Sequence, residues 1–235
     1  MKLSYENHLR NWVNKEKVGV SLLKSCGTLM YEHGIELVLF RNKLLEIGVS
    51  ELLSLFEYAN NELSRNTTID DALELTNTII KMNLPPSKID IGLLTAEYNE
   101  GNIKDYYQFL SIKLNHINSK KGHNNIAKDV ILYGFGRIGR LAARELIKQA
   151  GTGQQLRLKA IVVRSLTEEQ IVKRVDLFRN DSVHGKFKGV VNVDLKNQSM
   201  IANGQVIKFI RGRNPEDIDY TKHDINNALL IDNTG

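Results

Sequence analysis

The sequence is short of several features that would assign it to a particular compartment or class. It has a single cysteine, Cys26, so no disulfide can form within the chain and a reducing compartment is expected. No apolar run reaches the ~18 to 20 residues that a membrane-spanning helix needs. Residues 1–12 also lack the apolar core of a signal peptide. We therefore expect a cytoplasmic protein that contacts no membrane.

Positive charge is in excess only in the second half of the chain. Residues 1–128 carry 15 Lys/Arg and 15 Asp/Glu, whereas residues 129–235 carry 17 and 12. This excess fits two interpretations, a solvated basic face or an attraction for a polyphosphate ligand. No block of lysines and arginines is interleaved with aromatic residues, so nucleic acid is not an expected partner.

The most informative stretch is DVILYGFGRIGR at residues 129–140. An apolar strand pattern runs into Gly134-x-Gly136-x-x-Gly139 and a helical pattern follows, which is the order of a dinucleotide-binding unit. Gly134 permits the tight turn, Gly136 lets the backbone approach a pyrophosphate, and Gly139 lets helix and strand pack closely. The free amides at the start of the helix then face the phosphates. The stretch therefore predicts a cofactor's pyrophosphate site.

The rest of the chain predicts an α/β protein with two parts. Residues 1–117 have apolar residues at three- and four-residue steps and predict a mostly α-helical N-terminal domain. Residues 118–128 are polar and aperiodic, which is typical of a linker. Residues 129–235 alternate strand and helix patterns and predict a Rossmann-type dinucleotide-binding fold, which we expect to be incomplete. The apolar segment 35–40 fits either a strand or a buried turn of helix.

Three helix starts are predicted from capping residues. Ser50 is expected to cap one helix, Thr68 with Asp71 a second, and Ser165 with Glu168 a third.

Five segments of the second half resemble the amino-terminal part of glyceraldehyde-3-phosphate dehydrogenase, in order and in spacing. They are GFGRIGR at 134–140, NDSVHGKFKG at 180–189, MIANGQVIKF at 200–209, RNPEDIDY at 213–220 and IDNTG at 231–235. Residues 1–128 are similar to the helical extension of the family's longer members. The resemblance implies a homotetramer that oxidises glyceraldehyde 3-phosphate with inorganic phosphate and passes a hydride to a nicotinamide cofactor.

The same resemblance implies roles for single residues. Arg137 and Ile138 match the residues beside the pyrophosphate, and Arg213 matches one near the adenine. Thr234 and Gly235 match a turn against the centre of the cofactor. These residues join the three glycines in the implied site.

A second matching loop, with Asp181, Ser182 and His184, is interpreted as architectural. His184 is therefore not assigned a role in catalysis.

Arg164 departs from the usual dinucleotide pattern. An acid commonly follows the second strand and bonds the ribose 2′-hydroxyl, but here Arg164 follows AIVV. A guanidinium suits a 2′-phosphate, so we expect NADP to be accepted at least as well as NAD. The other interpretation is a solvated residue at a strand end.

The chemistry of the family needs a thiolate and a histidine, which lie beyond its cofactor-domain motifs. That half is absent from these 235 residues, and Cys26 sits in an apolar pattern typical of a buried structural thiol. No catalytic residue or metal ligand is assigned, and we expect the cofactor-binding portion of an oxidoreductase that is inactive alone. Two alternatives remain: a non-catalytic nucleotide-binding or protein-interaction module, and a subunit whose catalytic half is a separate chain.

Overall fold

The computed structural model describes residues 4–118, 127–151, 153 and 156–234. The chain divides into two compact units, residues 1–124 and 125–235. The division falls inside the segment that we predicted as a linker, 118–128, of which residues 119–126 lie outside the described part. That this segment acts as a linker stays a prediction.

The first unit packs helices around a small sheet. Its helices are α1 (Tyr5–Thr28), α2 (Val49–Asn61), α3 (Ile69–Met82), α4 (Ile91–Glu100), α5 (Tyr106–Lys113) and α6 (Asn115–Asn118), and a π-helical turn (Leu29–His33) follows α1. Its strands are β1 (Ile35–Leu39), β2 (Asn42–Lys43) and β3 (Ser87–Asp90), in the order β2-β1-β3. The segment that fitted either a strand or a helix is thus β1, which pairs parallel with β3.

The core of the first unit is apolar and closed to solvent. Its fully buried side chains come from helices and strands alike and include Leu22, Leu29, Ile35, Leu52, Leu75, Ile79, Ile91 and Leu110. The first eleven residues of α1 behave differently, because residues 5–15 are all exposed. Tyr5, Leu9, Trp12, Val13 and Val20 are exposed apolar side chains of this helix.

One of the three predicted caps is confirmed and two are wrong. Thr68 caps α3, and its hydroxyl accepts a hydrogen bond from the Asp71 amide at 3.1 Å. The cap of α2 is Gly48 rather than Ser50, so that helix begins earlier. The cap of α8 (Glu168–Arg179) is Thr167 rather than Ser165, since Thr167 accepts from the Gln170 amide. Both Ser165-x-x-Glu168 and Thr167-x-x-Gln170 fit the capping pattern, so the pattern alone could not separate them.

The second unit is built on a six-stranded sheet. Its elements are β4 (Lys128–Tyr133), α7 (Arg137–Gln149), β5 (Leu156–Val163), α8, β6 (Asn180–Asp181), β7 (Gly185–Lys186), β8 (Val191–Asp194), β9 (Ser199–Ala202), β10 (Gln205–Arg211) and β11 (Leu229–Asp232). The order in the sheet is β11-β4-β5-β10-β9-β8. The first four of these strands are parallel, which confirms the predicted Rossmann-type sheet.

The predicted alternation of strand and helix is wrong between α8 and β10. There the chain forms β8 and β9, and β9 pairs antiparallel with both β8 and β10. The turn from β9 to β10 contains Asn203 and Gly204, both with positive φ, which is the geometry of a tight hairpin.

The strand order locates the place where a ligand can enter. From β4 the chain moves outward to β5 and β10, and it then returns to place β11 on the other side of β4. In sheets of this type a crevice opens at the carboxyl ends of the strands where the order reverses. The glycine loop follows β4, and Asn233 and Thr234 follow β11, so both line this reversal.

Candidate cofactor site

Gly134 makes the turn that leaves β4. Its φ of +90° is strained for residues with a side chain, and its amide donates to the Val162 carbonyl oxygen at 3.0 Å. A Cβ atom at this position would lie 2.9 Å from Cγ2 of Thr234. The glycine loop and the turn after β11 are therefore in contact through Thr234.

Gly136 and Gly139 differ in what surrounds them. A Cβ atom at residue 139 would lie 2.5 Å from the carbonyl oxygen of Gly134, so α7 and the loop are packed too closely for any side chain there. A Cβ atom at residue 136 would meet nothing within 4 Å. The fold itself therefore requires Gly139, whereas the space beside Gly136 is open to a ligand.

The start of α7 has the features of an anion site. Gly136 is the N-cap and offers no side chain to the first amides, and the first turn holds no acidic residue. The first N–H groups of a helix have no partner within the helix, and its dipole favours negative charge. Arg137 and Ile138 are exposed at this point, Ile138 with 63% of its surface accessible. A pyrophosphate beside Gly136 would meet these amides.

One cavity adjoins the glycine loop, and a second cavity shares Arg164 with it. One, of about 290 Å³, is lined by Gly134, Gly136, Arg164, Arg174 and Thr234, among others. The other, of about 740 Å³, is lined by Arg164, Arg211, Gly212, Arg213 and Asn214. The predicted residues Arg164 and Arg213 are thus brought together at the ends of β5 and β10.

The ends of these strands are held by specific hydrogen bonds. The Gly212 amide donates to the Val163 carbonyl oxygen at 3.0 Å, and the Tyr133 hydroxyl donates to the Arg213 carbonyl oxygen. The backbone that carries Arg213 is therefore fixed from β4 and β5.

Arg174 and Arg211 are cavity residues that the sequence did not identify. Arg211 is the last residue of β10 and stands two residues before the predicted Arg213, so its place at a strand end was the signal available in the sequence. Arg174 had none, because its approach to the cavity depends on how α8 packs. Gly235, by contrast, was predicted as a site residue and lies outside the described residues.

The loop after α8 has the structural character that was expected of it. The Asp181 carboxylate accepts hydrogen bonds from the amides of Val183 and His184 at 3.0 Å, and from Arg140 at 3.1 Å. These donors, the His184 amide first, hold the pKa of Asp181 well below its usual range. Nδ1 of His184 also lies 3.1 Å from this carboxylate. Asp181 thus bonds to both His184 and Arg140.

Cys26 lacks the environment of a nucleophile. Its side chain is 3% exposed in the core of the first unit, and burial raises the pKa of its thiol to about 12. Within the described ranges no cluster of His, Cys, Asp and Glu could hold a metal ion. Nor does any described helix combine the length and apolar character needed to span a bilayer.

Comparison with known proteins gives a family match for the second unit. Residues 128–235 match the family model described as glyceraldehyde 3-phosphate dehydrogenase, NAD binding domain. A glyceraldehyde-3-phosphate dehydrogenase-like protein of Pseudomonas aeruginosa is 36% identical over 218 residues, which are 91% of this chain and 47% of that protein. This match is longer than either unit, so it extends into both.

Two further relatives match about the length of the second unit alone. The chloroplastic glyceraldehyde-3-phosphate dehydrogenase of Guillardia theta is 35% identical over 102 residues, 43% of this chain and 24% of that protein. The enzyme of Clostridium acetobutylicum is 28% identical over 106 residues, 45% of this chain and 28% of that protein. The chain spans 47% of the length of the Pseudomonas protein and a smaller share of the other two.

Proposed function

We propose that the chain binds a dinucleotide in the crevice between β4 and β11, as the match of residues 128–235 to the NAD binding domain of glyceraldehyde 3-phosphate dehydrogenase supports. The observation that carries this proposal is the contrast between Gly139, which the fold needs, and Gly136, whose open side only a ligand would use. The pyrophosphate lies on the first amides of α7. The residues proposed to bind the cofactor are Gly134, Gly136, Arg137, Ile138, Gly139, Arg164, Arg213, Thr234 and Gly235.

Arg164 makes NADP a cofactor of this site, bound at least as well as NAD. It stands at the end of β5, where dinucleotide folds place the ribose 2′-hydroxyl, and a guanidinium there matches a 2′-phosphate. Titration of the full chain with each cofactor by calorimetry tests this. Arg164→Asp is expected to favour NAD, because the carboxylate accepts from the 2′-hydroxyl and repels the phosphate. A strong preference of the unaltered chain for NAD would contradict the assignment.

The intact family member that contains this domain oxidises glyceraldehyde 3-phosphate with phosphate, as a tetramer in the cytoplasm. The 235 residues alone bind the cofactor without turning over the aldehyde. Support comes from Cys26, the single cysteine, whose thiol stays protonated at neutral pH. Reduction of NAD or NADP by the purified chain, with glyceraldehyde 3-phosphate and phosphate supplied, would show this part of the proposal to be wrong.

A second candidate, favoured by α1, is that the first unit contacts a partner protein. Tyr5, Leu9, Trp12, Val13 and Val20 recur at helical spacing, so these exposed apolar side chains share one face. Trp12 is the single tryptophan and reports directly on this face. Acrylamide should quench its fluorescence efficiently in the free chain, and a bound partner should protect it.

A further inference from the structure

Most arginines of the second unit that lie away from the crevice have polar partners. Arg140 pairs with Asp181 at 3.1 Å, Arg157 with Asp129 at 2.8 Å, and Arg179 with Asp176 at 2.5 Å. Arg144 donates to the carbonyl oxygens of Phe178 and Gly185. The fold therefore supplies acceptors to the guanidinium groups that it uses for structure.

The arginines that line the two cavities are different. Within the described part of the chain, Arg164, Arg174, Arg211 and Arg213 form no ion pair with an acid, and the one hydrogen bond of these four guanidinium groups joins Nη1 of Arg174 to Gln170 at 3.5 Å. Four like charges around one crevice repel each other unless an anion lies among them. Their arrangement matches a phosphate group that binds from solution.

Of the four arginines that line the two cavities, Arg174 is the least exposed to solvent. It is half-buried on α8, and desolvation lowers the pKa of its guanidinium. An arginine nevertheless stays charged at neutral pH. A charged group that is withdrawn from water without a counter-charge is unfavourable, and a bound anion would compensate it.

The smaller cavity reaches from the glycine loop to the end of β5, because Gly134 and Gly136 line it as well as Val163 and Arg164. Arg174 stands on α8, and it lines this cavity together with Arg164. In dinucleotide folds the ribose 2′-position lies at the end of this second strand, whereas the pyrophosphate lies at the start of the first helix. Arg174 and Arg164 approach from α8 and β5, so two planar guanidinium groups can donate to the same phosphate.

We propose that Arg174 is a specificity-determining residue that, with Arg164, binds the 2′-phosphate of NADP. This inference rests on the proposed dinucleotide binding and goes beyond it by assigning a residue that neither the glycine pattern nor the family resemblance identified.

The test uses the full chain and four soluble probes: NADP, NAD, adenosine 2′,5′-bisphosphate and AMP. The last two differ only in the 2′-phosphate and carry no pyrophosphate bridge. Calorimetry compares the unaltered chain with Arg174→Met, Arg174→Lys and a control, Lys173→Met. Lys173 is the exposed neighbour on α8, so the control removes the same charge from the same helix without changing the cavity. Circular dichroism verifies folding, and if Arg174→Met does not fold, Arg174→Lys carries the test.

Arg174→Met is expected to weaken NADP and adenosine 2′,5′-bisphosphate by at least about tenfold, because charge-assisted hydrogen bonds are lost. NAD and AMP should bind as before, Arg174→Lys should lose less, and Lys173→Met should bind all four normally. Equal losses for NADP and NAD would place Arg174 on the pyrophosphate and overturn the inference. Unchanged NADP binding would also overturn it, as would an unaltered chain that binds NAD but not NADP. If the unaltered chain binds neither dinucleotide, the proposed function itself fails.

Discussion

Replacing Gly139 with alanine isolates the packing of α7 on the glycine loop. The added methyl group would lie 2.5 Å from the carbonyl oxygen of Gly134 and 3.2 Å from its carbonyl carbon. Both atoms belong to the backbone, which cannot rotate away as a side chain would. The helix or the loop must therefore move.

The size of the effect follows from two opposing terms. Overpacking of a close contact costs roughly 1–3 kcal/mol, and a backbone obstacle places this substitution near the upper end. Alanine recovers about 0.5–1 kcal/mol because it restricts the unfolded chain more than glycine does. We therefore expect Gly139→Ala to lower the free energy of unfolding of the second unit by about 2 kcal/mol.

Gly136→Ala is the matched control, because its methyl group meets nothing within 4 Å and its φ of −73° suits any residue. It should lower stability by less than about 1 kcal/mol, through a slightly poorer N-cap. Dinucleotide affinity should instead fall by at least about tenfold, since the methyl group displaces the pyrophosphate from the amides of α7.

Urea unfolding followed by circular dichroism gives the stabilities, and calorimetric titration with NAD gives the affinities. The transitions of the two units are fitted separately where they do not coincide. Two results would refute the reasoning: a Gly139→Ala chain as stable as the unaltered one, or a Gly136→Ala chain that binds NAD normally. The first would mean that α7 is not packed against Gly134, and the second that the open side of Gly136 does not face the cofactor.

Three further predictions concern other parts of the chain. The Cys26 thiol should resist alkylating reagents at pH 8 until urea unfolds the first unit, and rapid modification of the folded chain would contradict this. The contribution of the protonated thiol to the stability of the first unit should disappear as the pH rises from 9.0 towards about 12. Asp181→Asn should destabilise the second unit at pH 7, where the depressed pKa keeps the carboxylate of the unaltered chain charged. The difference in stability between the two chains should shrink on acidification through that pKa. Equal thermal stability at pH 7 would argue against a structural role of the loop. Thr68→Ala should lower the stability of the first unit by about 1 kcal/mol through loss of the α3 cap, measured by urea unfolding against Ser50→Ala, which caps nothing.

The sequence was most informative where structure is decided locally. The order of β4, the glycine loop and α7 was predicted correctly, because an apolar strand, a positive-φ glycine and a helical period follow each other directly. β9 was not predicted, because its four residues, SMIA, are too few to show the alternating apolar pattern of a strand. The Asn203-Gly204 pair next to it is a strong hairpin signal and would have identified it.

The site was predictable in part for the same reason. Gly134, Gly136 and Gly139 act through the backbone geometry of one loop, so their spacing reveals them. Arg174 reaches the smaller cavity only through the packing of α8 on the sheet, and residues far apart in sequence decide that packing. No local pattern distinguishes it from Arg179 on the same helix, which instead pairs with Asp176.

The arginines support the interpretation of the charge excess as an attraction for a ligand. In the described part of the second unit, Arg164, Arg174, Arg211 and Arg213 form no ion pair and line two cavities that share Arg164, while Arg140, Arg144, Arg157 and Arg179 are bonded to acceptors. Repulsion among these four arginines works against folding. Hydrogen bonds that hold the strand ends, such as that from Gly212 to Val163, oppose the separation of the segments that carry the arginines.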